Sequence, residues 1–172
     1  MITITLNKIK AHASCQDRWQ KLLNHLGKTE ADDEEFSLAD VLDSNGLDDA
    51  LWCLRCLPEH DKKWRLLAVK FARQVQHLME DKRSFEALDV AEKYAKSEAT
   101  DKELRDAWTA ARGAAWSGAG AAFWAARAAA WSAAGYAAWY AVFWAALAVR
   151  DARNSRNARE KQKQLFLKAI EC

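Results

Sequence analysis

Apolar residues recur along most of the chain at the three- and four-residue spacing of one helical face, and strict alternation is rare. From Asp61 onward Trp64, Leu67, Ala68, Phe71, Val75, Leu78 and Met79 share such a face, while Lys62, Lys63, Lys70, Arg73 and Gln74 fall elsewhere. This predicts an amphipathic helix. A shorter apolar set, Trp19, Leu22, Leu23 and Leu26, predicts another, with Ser14 and Asp17 as its capping pair and Gly27 as its left-handed stop. Ser37 caps a turn through Leu38 and Leu42, and Asp43-Ser44-Asn45-Gly46 leads into a helix from Leu47 to Leu57 that ends at Pro58. Ser84 reads as the cap of a helix that buries Phe85, Leu88, Ala91, Tyr94 and Ala95, and Thr100 with Glu103 forms a capping box for the next. Ile2 to Leu6 alternates like a strand, but without a visible partner it reads as an extended arm or the lead-in to a helix.

These elements predict an all-α fold, a multi-helix bundle of helical hairpins in one domain. Residues 1–98 supply its N-terminal helices, and residues 100–171 supply Ala/Trp-rich helices packed against them. A long C-terminal helical hairpin is expected in the second part. From Ala107 to Val149 alanine dominates and tryptophan recurs at Trp108, Trp116, Trp124, Trp131, Trp139 and Trp144, so the stretch is read as helical and apolar almost all round. One rod from Asp101 to Glu171 would be about 105 Å long, against a radius of gyration of about 16 Å for a compact chain of this size. The stretch must therefore fold back, and Gly118, Gly120 and Gly135 are the expected break points. Residues 128–149 meet the length rule for a membrane span, yet alanine is only marginally hydrophobic and the tryptophans are spread through the centre. Burial inside protein is the preferred reading, with Arg112 stacked on Trp108.

Charge adds a polarity that the net value of +2 conceals. Between Lys28 and Arg55 there is no basic residue, while Glu30, Asp32, Asp33, Glu34, Glu35, Asp40, Asp43, Asp48 and Asp49 are acidic. From Arg150 to Cys172 basic residues outnumber acidic ones by seven to three. The acidic run has two readings, a solvated loop or a surface that docks a cationic partner. The basic end lacks interleaved aromatic residues, so direct nucleic-acid binding is not expected.

Cys53 and Cys56 form a CxxC with no second spaced pair and no strand-to-helix context, which favours two core thiols over a zinc or redox site. The four cysteines make no disulfide framework and the first residues lack an apolar leader, which fits a reducing cytoplasm. His12, His25, His60 and His77 are not at metal-ligand spacing, and no nucleophile, phosphate-loop or metalloprotease motif is present. No cofactor and no catalytic residue are assigned. Arg73, Gln74 and His77 lie at the spacing of a polar groove or of a solvated helix face.

The run Asn45-Gly46-Leu47-Asp48-Asp49-Ala50-Leu51-Trp52-Cys53-Leu54-Arg55 and the run Ala72-Arg73-Gln74-Val75-Gln76-His77-Leu78-Met79 resemble the immunity-protein-like family of bacterial polymorphic toxin systems, which phages also carry. The Ala/Trp/Arg-rich tail after Thr100 is similar to theirs, although Gly118, Gly120, Tyr136, Tyr140 and Phe143 interrupt the pattern. The resemblance implies neutralisation of a toxin by direct binding and brings no contact residues with it. The expectation is a non-enzymatic cytoplasmic protein that binds a protein partner and no membrane, with a homodimer compatible. The candidate partner-binding residues are Asp32, Asp33, Glu34, Glu35, Asp48, Asp49, Trp52, Arg73 and His77. The alternative is a phage-encoded inhibitor of a host defence complex, such as a CRISPR effector, whose acidic surface imitates nucleic-acid phosphate.

Overall fold

A computed structural model describes residues 1–12, 16–74, 76–79, 81–115 and 155–171. The fold is all-α, with one small two-stranded sheet among the described residues. In chain order the elements are β1 (Thr3–Thr5), α1 (Leu6–Lys10), α2 (Gln16–Leu26), β2 (Glu35–Ser37), α3 (Leu38–Asn45), α4 (Leu47–Cys53), α5 (Asp61–Gln74), α6 (Lys82–Ala95), α7 (Asp101–Ala115) and α8 (Ser155–Glu171). Short 3-10 turns at Leu54–Cys56, Pro58–His60 and Gln76–Leu78 join them. The expected fold-back of the Ala/Trp-rich hairpin, the possible span at 128–149, the cap at Ser14 and Val75 of the α5 stripe lie outside the described residues. The compact units are Met1–Glu59 with Leu167–Cys172, and His60–Phe166.

In the first unit the opening alternation does have a partner. β1 pairs antiparallel with β2, setting Thr3 opposite Ser37, Ile4 opposite Phe36 and Thr5 opposite Glu35. One side of β1 is committed to the core, since Ile2 and Ile4 are buried, and Thr3 Oγ1 donates to Glu35 Oε2 at 3.0 Å. Ile2 N–H donates to the Ile170 carbonyl of α8 at 2.7 Å, which ties down the chain start. Thr5 ends the strand and caps α1, its side chain accepting from Lys8 N–H.

The stop of α2 is the one its glycine signals. Gly27 sits at φ 68° and Lys28 N–H returns to the Leu23 carbonyl at 2.9 Å. Ser37 and Asp40 form a full capping box on α3, satisfying end groups that the helix itself leaves open. Gly46, at φ 91° and ψ 177°, closes α3 and opens α4 in one residue, a conformation open to glycine and strained for side-chain-bearing residues.

In the second unit α5, α6 and α7 run antiparallel in sequence. Lys62 meets Ser97 and Arg65 meets Tyr94 near one end, while Arg73 meets Asp89 towards the other. α5 is buried more widely than a single stripe allows, because Arg65, Val69 and Ala72 join Trp64, Leu67, Ala68 and Phe71 inside. Complete burial of a side chain such as Leu67 or Phe71 contributes about 1.5–3 kcal/mol. Val69, Ala87, Ala91, Leu104 and Ala111 form a core cluster, with Tyr94 and Trp108 packed against it. The alanines let α6 and α7 approach closely, and the larger residues fill the remaining space. Arg112 lies 5.4 Å over the Trp108 ring, the stacking that their four-residue spacing predicts.

One cap differs from its sequence reading. Asp81 caps α6, accepting from Arg83 N–H at 2.9 Å, and Ser84 lies one turn inside the helix, fully buried. Its hydroxyl has no hydrogen-bond partner among the described residues. Position 84 therefore serves packing, its small side chain beginning the inward row continued by Ala87 and Ala91.

Candidate functional site

The acidic segment is not a bare loop. The turn after α2 directs Lys28 back over it, and its ammonium donates to Asp32 Oδ2 at 2.5 Å and to Glu34 Oε2 at 2.8 Å. Glu34 N–H donates to Asp32 Oδ1 at 3.2 Å, and the Asp32 carbonyl accepts from Asn7 N–H at 3.1 Å. The Lys28 hydrogen bond holds the Asp32 carboxyl below its usual value and the same contact raises Lys28. Two of the four candidate carboxylates between residues 32 and 35 are therefore engaged within the loop. Glu35 is fixed in β2 by Thr3, and Asp33 is exposed.

Asp48 and Asp49 separate just as clearly. Both occupy the first turn of α4, where carboxylates complement the positive end of a helix. Asp48 is exposed, whereas Asp49 is buried, ion-paired with Arg18 and accepting from Asn45 Nδ2 at 2.9 Å. Asp49 thus ties α2 to the α3–α4 junction. Trp52 follows Asp48 by four residues and is half-buried, with the Arg55 guanidinium 4.7 Å from its ring centroid. In the run from residue 30 to 49 the exposed carboxylates are Glu30, Asp33, Glu34, Glu35, Asp43 and Asp48.

Arg73 and His77 belong to the other compact unit. Arg73 donates to Asp89 at 2.6 Å, to Glu92 at 3.2 Å and to Gln76 Oε1 at 3.2 Å. Lys96, and secondly Arg73, hold Glu92 below its usual value. Arg73 is accordingly the centre of an α5–α6 ion network. His77 is exposed on the following 3-10 turn. Of the nine candidate residues, seven lie in the first unit and two in the second.

The CxxC closes α4. Cys53 and Cys56 are both buried, and burial raises both thiols, Cys56 to about 11 and Cys53 well above its usual value. A thiol held protonated is a weak nucleophile and a weak metal ligand, so these two side chains act as small apolar groups in the core. Among the described residues no group of three or more His, Cys, Asp or Glu side chains is placed to hold a metal ion. No helix among them is long and apolar enough to cross a membrane.

Charge follows the structural division more sharply than the sequence runs suggest. Met1–Glu59 with Leu167–Cys172 carries seven Lys and Arg against twelve Asp and Glu, a net of −5. His60–Phe166 carries nineteen against twelve, a net of +7, and the two recover the overall +2. Lys28, Arg18 and Arg65 escaped sequence reasoning as structural residues. For Lys28 a signal existed in its spacing of four and six residues from Asp32 and Glu34, next to a glycine stop.

Compared with protein-family models, curated proteins and solved structures, the chain matches none.

Proposed function

We propose that this chain is a non-enzymatic binding protein that neutralises a toxin or defence effector in the cytoplasm by direct protein–protein contact, presenting its acidic unit to a cationic partner. The observation that carries this reading is the net charge of −5 on one compact unit, with Glu30, Asp33, Asp43 and Asp48 exposed on it. A field of one sign speeds encounter with an oppositely charged protein and selects against partners of like charge. The buried, protonated thiols of the CxxC favour binding over chemistry at that motif. The resemblance of the Asn45–Arg55 and Ala72–Met79 runs to the immunity-protein-like family points the same way.

Burial and pairing grade the docking residues. Asp49 is buried on Arg18 and Asp32 is half-buried on Lys28, whereas Asp33, Glu34, Glu35 and Asp48 are exposed members of the candidate acidic set. The same pairing weakens nucleic-acid mimicry by this loop, since Lys28 offsets one of the two charges on Asp32 and Glu34.

The test is affinity capture from the native host with the wild-type chain and with a Glu30→Gln, Asp33→Asn, Asp43→Asn, Asp48→Asn variant. The wild type should retain a basic toxin, nuclease or defence effector and inhibit it, and the variant should retain much less. Recovery of no such protein would overturn the reading.

A further inference from the structure

We draw no further inference here: the strongest candidate, the outer face of α4 where half-buried Trp52 stands one turn from exposed Asp48, carries nothing, because nothing in the structure shows what covers it.

Discussion

The guanidinium of Arg65 lies 5.2 Å from the centre of the Tyr94 ring, and the Arg65 side chain is completely buried. It also donates to Asp61 Oδ2 at 3.0 Å, while Tyr94 Oη donates to Asp101 at 2.8 Å. One chain of contacts thereby joins α5, α6 and α7. Asp61 keeps about a third of its side chain exposed, so loss of Arg65 does not strand it as a fully buried carboxylate. The dominant loss on truncation is then volume and packing. Arg65→Ala is expected to destabilise the fold by about 2–5 kcal/mol, the range for emptying a large buried site. Arg65→Met refills the space and should lose markedly less. Chemical denaturation of the three proteins checks this, and an unchanged midpoint in Arg65→Ala would exclude a packing role.

Gly46 and Gly27 separate backbone strain from steric crowding. A Cβ at either position meets nothing within 4 Å, so any cost of alanine is conformational. Gly46→Ala should destabilise by about 1–3 kcal/mol, because its backbone conformation is one that side-chain-bearing residues rarely hold. Gly27→Ala should cost about 1–2 kcal/mol in the left-handed helical region, and Gly27→Asn less, because asparagine tolerates that region. Thermal melts of the three variants give the order, and an asparagine variant less stable than the alanine one contradicts it.

The acid limb of stability should carry a contribution from the α6 cap. Hydrogen bonds from Arg83, first through its side chain and then through its backbone N–H, hold the Asp81 carboxyl down to about 2 from an ordinary value of 3.8. A depressed carboxylate stabilises the folded state above its unfolded value, and that contribution disappears as pH falls from about 4 to about 2. Asp81→Asn should therefore flatten the stability profile in that window and leave its shape above pH 5 unchanged. Two profiles that run parallel from pH 5 to pH 2 would remove Asp81 from the account.

Buried thiols predict protection. In the native protein near pH 8, Cys53 and Cys56 should react with a thiol reagent far more slowly than in denaturant, because burial both excludes the reagent and holds the thiols protonated. Mass-spectrometric mapping of the labelled positions reads this directly. Rapid native labelling of either residue would reopen the possibility of a reactive role for the pair.

The helical architecture was legible because its signals are local. The α5 stripe, the Gly27 stop, the Ser37 cap, the Thr100 and Glu103 box and the Arg112–Trp108 stack all depend on spacings of three or four residues. The features that escaped are non-local. The partner of β1 lies more than thirty residues away within the acidic run, and three residues of strand offer little pattern to detect. Arg65 flanks an apolar stripe, and only the arrival of α6 and Tyr94 makes a charged residue there an interior one. The α6 cap shifted by three residues because Asp81 and Ser84 are both competent caps and packing selected the small side chain for the inside. In the candidate site composition revealed the acidic run, but the fold decides which of its carboxylates are buried. Asp49 and Asp33 look alike in sequence and differ completely in burial.

The acidic unit is the surface proposed to meet the partner. Its most direct test is the association rate of the captured partner with the wild type and with the Glu30→Gln, Asp33→Asn, Asp43→Asn, Asp48→Asn variant, measured at low and high salt. Steering by this unit predicts that the wild-type rate falls steeply with salt, and that the variant associates about 10-fold or more slowly at low salt. Equal association rates for the two proteins, insensitive to salt, would contradict it.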